Sequence, residues 1–141
     1  MKKIILGKNN NNLKYDFRET CFGLYKEENK ILVTFDKKYN QYSLIGGGRE
    51  TSETKHDTLR REFLEEAGIK IKKIKHFITI DCFWLAEGNY PIESLAHFYL
   101  IEIDKFLDIN SESGYEFIEV NKLNLPLPYQ KKALELFINK K

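Results

Sequence analysis

"GGGRETSETKHDTLRREFLEEAGI", residues 46–69, is the stretch on which the reading of this chain turns. Three adjacent glycines run into a segment holding six carboxylates and the pair Arg60 and Arg61. Thr54 and Asp57 form a capping box with an acid shorter than the usual Glu or Gln, so a helix is expected over 55–67, stopped by Gly68. At helical spacing Leu59, Phe63 and Ala67 make an apolar stripe that docks on a core. Glu62, Glu65 and Glu66 make a neighbouring acidic stripe. Like charges at i,i+4 cost roughly 0.2–0.5 kcal/mol, and acid near a helix C-terminus opposes the dipole. A hard divalent cation removes both penalties. Oxygen ligands suit Mg²⁺ or Mn²⁺, and the absence of Cys or paired His in the stretch disfavours zinc. Surface ion pairing of Arg61 with Asp57 and Glu65 is the competing explanation of the same charges. The glycines favour a site, because backbone without side chains beside the acid leaves room for a phosphate. The run is neither a Walker A loop nor GxGxxG.

Upstream, "QYSLI" reads as one short strand feeding the glycines, and the apolar runs flanking residues 26–30 read as a hairpin. The asparagines at 9–12 read as a turn after a first short strand. Downstream, "IKIKKIKHFITIDCFWL" reads as a strand whose first part is half exposed. Lys70, Lys72, Lys73 and Lys75 within it fit guards of a sheet edge better than a nucleic-acid patch. "AEGNYPIES" reads as a loop and "SLAHFYLIEI" as a central strand. A terminal helix starting near Pro128 turns Ala133, Leu134, Leu136 and Phe137 toward the sheet. The order of elements is that of a mixed α/β domain.

The chain has 141 residues, 42% hydrophobic and 31% charged, and a net charge of +2, so a single domain over 1–141 is expected, without a field of one sign to attract a polyanion. Cys21 and Cys82 stand 61 positions apart with no CxxC, which speaks against a disulfide framework or zinc site. The first residues lack the apolar length of a signal peptide, and no stretch reaches transmembrane length. A cytoplasmic protein that does not enter membranes is expected.

Gly47, Glu53 and "REFLEEAGI" at 61–69 fit G-x5-E-x7-R-E-U-x-E-E-x-G-U, where U is a bulky aliphatic residue and Phe63 a mild variant. In this the chain resembles the Nudix hydrolases. The resemblance implies an α/β/α sandwich with a mixed β-sheet between helices. It also implies metal-dependent hydrolysis of the diphosphate linkage in a nucleoside diphosphate derivative. By position, Glu62, Glu65, Glu66 and the Gly47 carbonyl would hold Mg²⁺ or Mn²⁺. Arg61 would orient a catalytic glutamate, and Glu53 would pair with that arginine or hold the loop, so Glu53, Arg61, Glu62 and Glu65 form the catalytic set. Glu112 and Glu116 are candidates for a general base outside the box. Ile45 stands where many members carry proline.

Trp84 and Tyr90 are the aromatic residues expected to meet a base, and Arg18 and Arg49 those expected to meet phosphates. ADP-ribose enzymes of the family carry a proline about fifteen residues after the box, where this chain has Trp84. The tyrosine of dinucleoside polyphosphate enzymes is missing as well. The default partner is therefore a small nucleotide, such as a normal or oxidised (d)NTP. The alternative is a Nudix-fold regulatory module that binds nucleotides without turnover. A nucleic-acid partner is not expected, and the oligomeric state is left open, a homodimer included.

Overall fold

The computed structural model describes residues 2–140. Among them are nine strands: β1 (Lys3–Leu6), β2 (Asp16–Leu24), β3 (Lys26–Glu27), β4 (Lys30–Asp36), β5 (Gln41–Ser43), β6 (Ile45–Gly48), β7 (Ile69–Ala86), β8 (Tyr90–Phe106) and β9 (Glu116–Glu119). Two α-helices accompany them, α1 (Lys55–Glu62) and α2 (Pro128–Ile138). α1 runs directly into a π-helical turn, Phe63–Ala67. The larger sheet has the order β1-β7-β8-β2-β6. Its β1–β7 and β8–β2 pairs are parallel, and its β7–β8 and β2–β6 pairs antiparallel. In the smaller sheet β4 pairs with β3, β5 and β9, always antiparallel.

Side chains alternate across a strand, so each strand of the larger sheet feeds two cores. Phe22, Leu24 and Phe98 pack with Tyr129, Ala133 and Leu134 of α2. Their neighbours Cys21 and Tyr99 pack instead with Leu59, Phe63 and Ala67 of the first helix. The two helices therefore cover opposite faces of a mixed sheet, the α/β/α arrangement expected from the sequence. β8 is the central strand of the five. Among the described residues no helix is long and apolar enough to cross a membrane.

Local differences from the sequence reading have physical causes. The hairpin expected around residues 26–30 forms only at its tip, between β3 and β4, with one further bond from the Leu32 N–H to the Tyr25 carbonyl at 3.0 Å. β2 belongs to the larger sheet, and only the two-residue β3 turns back on β4 in the smaller one. "QYSLI" is likewise two strands in two sheets, β5 and β6, joined at Leu44. The supposed loop "AEGNYPIES" shrinks to a turn at residues 87–89, because β7 and β8 pair as far as Ala86 and Tyr90. A register shift between His76 and Ile78 turns both Phe77 and Ile78 toward the α2 core. β1 pairs β7 only from Thr79 to Cys82, so the first half of β7 has one neighbouring strand. Lys70, Lys72, Lys73 and Lys75 lie exposed along that edge, where lysine opposes pairing with another chain.

The aromatic ring of Phe63 is accommodated from across the core. A Cβ on Gly23 would lie 2.5 Å from Phe63 Cζ and 2.6 Å from Cε1. Gly23→Ala should therefore destabilise the protein by about 1–3 kcal/mol in denaturant unfolding. In a Phe63→Leu background the same substitution should cost markedly less. Equal losses in the two backgrounds would show that the pair is not matched.

Candidate active site

The helix begins as its capping box dictates. Thr54 Oγ1 accepts from the Asp57 N–H at 3.1 Å, and an Asp57 carboxyl oxygen accepts from the Thr54 N–H at 3.1 Å. It ends at Gly68, whose φ of 68° and ψ of 35° are left-handed. Between these stops Arg61 joins helix to loop. Its Nε donates to Glu53 Oε2 at 2.6 Å and its Nη2 to Glu53 Oε1 at 3.0 Å, a bidentate pair. Nη2 also donates to the Gly48 carbonyl at 3.2 Å. Nη1 donates to Glu62 at 2.9 Å and to Glu65 at 3.3 Å. Glu53 Oε1 further accepts from Thr58 Oγ1 at 2.9 Å and from the Glu50 N–H at 3.1 Å. Of the ion pairs in the competing explanation, Arg61–Glu65 forms and Arg61–Asp57 does not; Asp57 serves the cap instead.

The three box carboxylates differ in exposure. Glu65 is 48% exposed and Glu62 only 16%. Glu66 is half-buried, with an Oε1 that is buried and has no hydrogen-bond partner. Glu65 and Glu66 lie in the π-helical turn, and Glu62 ends the helix before it. Glu62 lies over the glycine strand: a Cβ on Gly47 would come within 2.7 Å of Glu62 Cδ. Only glycine allows the carboxylate to approach the backbone so closely. Among the described residues no group of three or more acidic, His or Cys side chains stands ready-made around a cation.

The remaining expected residues divide. The Glu112 N–H donates to the Glu65 carbonyl at 2.9 Å, which brings this residue beside the acid. Glu116 sits on β9 and accepts from the Tyr42 hydroxyl at 3.3 Å. Arg18 and Trp84 line one cleft of about 360 Å³ with Asp36, Gln41, Leu127 and Tyr129. Trp84 Nε1 donates to Ser94 Oγ at 3.0 Å, and its ring meets that of Tyr129 edge-on at 6.1 Å. Arg18 pairs with Asp16 at 3.0 Å, and Asp16 also accepts from the Tyr90 hydroxyl at 3.2 Å. Tyr90 is not among the residues lining the cleft. Arg49 lies away from the cleft and is bound to Glu19 at 2.8 Å. Sequence reasoning missed Asp36, Leu127 and Tyr129 in the cleft and Glu19 behind the loop. They come from distant elements, and no local pattern marks them.

The NUDIX domain profile matches residues 18–138. The chain belongs to the Nudix family. Members of this family are hydrolases acting on phosphoric anhydrides, and this chain is an enzyme of that class. Among solved structures it is similar to a MutT Nudix hydrolase from Burkholderia pseudomallei (TM-score 0.68, 20% identity, 85% of this chain and 97% of that one). It is also similar to a Nudix hydrolase from Nitrosomonas europaea (TM-score 0.72, 13% identity, 87% and 89%). A third is a UDP-X diphosphatase (TM-score 0.64, 17% identity, 91% and 66%). At these identities the likeness is one of fold. Comparison with curated proteins by sequence gives no significant match.

Charge in the Nudix segment is set by burial and by Arg61. The Arg61 bonds hold the Glu53 carboxyl down at about 2, against the pull of burial, and Arg61 itself is raised by the same bonds. Burial raises Glu62 despite Arg61 beside it. Glu66 is pushed up to about 8, first by burial, then by the charges of Glu62, Glu112 and Asp36, with the Gly46 N–H offsetting a part. A carboxyl with one buried, unpaired oxygen, beside a second carboxylate and a glycine backbone, is a donor set that fits a hard divalent cation. Family members generally use such ions.

A carboxyl whose folded pKa lies above its unfolded value favours the folded state below the unfolded value, and that contribution is lost as pH rises through the folded one. In metal-free protein the melting temperature should therefore fall as pH is raised from about 5 through about 8. Glu66→Gln should flatten this dependence in differential scanning calorimetry with EDTA. An unchanged slope in the variant would mean that Glu66 is not the group responsible.

Proposed function

We propose that the chain hydrolyses the diphosphate linkage of a nucleoside diphosphate derivative, specifically a (d)NTP or an oxidised (d)NTP, with Mg²⁺ or Mn²⁺. The observation that carries this reading is the unpaired buried oxygen of Glu66 in the same small region as Glu62 and Gly47. Glu62, Glu66 and the Gly47 carbonyl would hold the cation, with Glu65 as the further box ligand. Bound there, a divalent cation neutralises pyrophosphate oxygens and lowers the pKa of water. The other roles belong to side chains. Arg61, anchored on Glu53, keeps Glu62 and Glu65 in place. The attacking water gives its proton to Glu65 Oε1, on the most exposed of the three box carboxylates, with Glu112 the acid outside the box nearest this duty.

Base recognition is assigned to the cleft. Trp84 offers a ring held by Ser94 and Tyr129, and Arg18 offers a cation at the rim. A cleft of about 360 Å³ is of a size to take one nucleoside. Asp36 lines this cleft, and its charge is among those that raise Glu66. Tyr90 would close the rim by way of Asp16. Both cysteines are free and buried, which agrees with a cytoplasmic setting.

Phosphate release should be measured from (d)NTPs, 8-oxo-dGTP, ADP-ribose, dinucleoside polyphosphates, NADH and nucleotide sugars, with Mg²⁺, Mn²⁺ or EDTA. Nucleotide sugars belong in the panel because one structural neighbour is a UDP-X diphosphatase. We expect one triphosphate to be cleaved far faster than the rest and EDTA to abolish turnover. Glu65→Gln and Glu66→Gln should each lower kcat by about 100-fold or more with unchanged circular dichroism. Binding without turnover of any compound would favour the regulatory module. Trp84→Ala should raise KM about tenfold, equivalent to ~1.4 kcal/mol of stacking, with little change in kcat. A fall in kcat at constant KM would remove Trp84 from base recognition.

A further inference from the structure

Behind the glycine strand, on the α1 side of the larger sheet, a polar chain crosses what is otherwise apolar territory. Arg49 Nε donates to Glu19 Oε1 at 2.8 Å. Glu19 Oε2 meets His97 Nε2 at 2.8 Å, His97 Nδ1 meets Thr79 Oγ1 at 2.9 Å, and Thr79 Oγ1 meets His76 Nε2 at 2.8 Å. His97 and Thr79 are 4% and 3% exposed. One assignment of protons satisfies every contact. With both imidazoles neutral and protonated on Nε2, His76 donates to Thr79, the Thr79 hydroxyl donates to His97, and His97 donates to an ionised Glu19. The environment agrees with that assignment. Burial works against the Glu19 charge, yet the bonds from Arg49 and His97 keep its pKa below normal, while burial lowers His97 in spite of Glu19.

The chain ends at the catalytic loop. Arg49 follows Gly48 directly, and its own N–H donates to the Glu19 carbonyl at 3.0 Å. Its Nη1 donates to the Glu53 carbonyl at 2.8 Å. Glu53 is thereby held twice, by its backbone from Arg49 and by its carboxylate from Arg61. The Arg49–Glu19 pair is partly open to solvent, its side chains 32% and 19% exposed, and exposed pairs contribute only about 0–1 kcal/mol, so stability is a weak reason for this one. We propose that Glu19 and His97, acting through Arg49, are positioning residues that set the loop bearing Glu53 and hence the orientation of Arg61. This rests on the hydrolase reading above. It gives Arg49, whose Nε and Nη1 are both engaged, a bracing role instead of a phosphate contact.

The test uses the full chain and the substrate that wild type turns over best. Glu19→Ala should lower kcat about 10–100-fold, the scale on which a displaced catalytic group acts, with KM within about twofold. Glu19→Gln, which keeps an acceptor for Arg49, should recover most of the loss. Arg49→Ala added to Glu19→Ala should cost nothing more, because the two act as one unit. Hydrogen exchange at the Glu50 and Glu53 amides, which needs no turnover, should accelerate in Glu19→Ala and not in Glu19→Gln. If Glu19→Ala does not fold, Arg49→Ala, which leaves His97 its partner, carries the same expectation. Unchanged kcat, a rise confined to KM, additive losses in the double variant, or unaltered exchange would each overturn the proposal. Faster loop exchange in a protein that hydrolyses no compound would leave the positioning intact and sink the hydrolase reading instead.

Discussion

Everything in the site is arranged around the fork of Arg61 on Glu53. Six carboxylates of the loop and helix lie within a short span of chain, where like charges repel one another. A planar, permanently charged guanidinium with several donors meets two loop acceptors and two helix carboxylates at once. Lysine has the charge but not the geometry. The fork turns a repulsive cluster into an ordered one, and only Glu66 is left without a protein partner for its buried oxygen.

That exception shows how the fold divides its acids by environment. Glu53, fully bonded, is held strongly acidic, whereas Glu66, desolvated, is pushed toward neutrality. Two chemically identical side chains thirteen positions apart thus face opposite demands. The glycine strand matters for the same reason: at Gly47 a side chain would occupy the space that the Glu62 carboxylate fills. The matching of Gly23 to Phe63 applies this steric logic to the core behind the site.

Much of this was legible in residue order, and the parts that were not share a cause. The capping box, the helix stop and the apolar stripe of Leu59, Phe63 and Ala67 are local patterns, and the structure realises each. The hairpin around residues 26–30 does form, but only through the two-residue β3; its long apolar arm β2 and the single strand "QYSLI" were misread because adjacent strands left for different sheets. Strand partners are chosen across long separations, so an alternation of apolar residues says that a strand exists without saying what it pairs with. The π-turn that carries Glu65 and Glu66 was not foreseen, because nothing in "FLEEA" announces one.

The sequence by itself determined the family, the helix with its caps, and the residue types at the site, because the spacing of Gly47, Glu53 and 61–69 is a one-dimensional fact. Only the tertiary structure decided which carboxylates are buried and which are bonded. It alone brought Arg18, Asp36, Trp84 and Tyr129 to one cleft and joined Glu19, Thr79 and His97 behind the loop. Burial and hydrogen bonding depend on what the rest of the chain places nearby. Those neighbours come from β2, β4, β7, β8 and α2, which no local pattern connects.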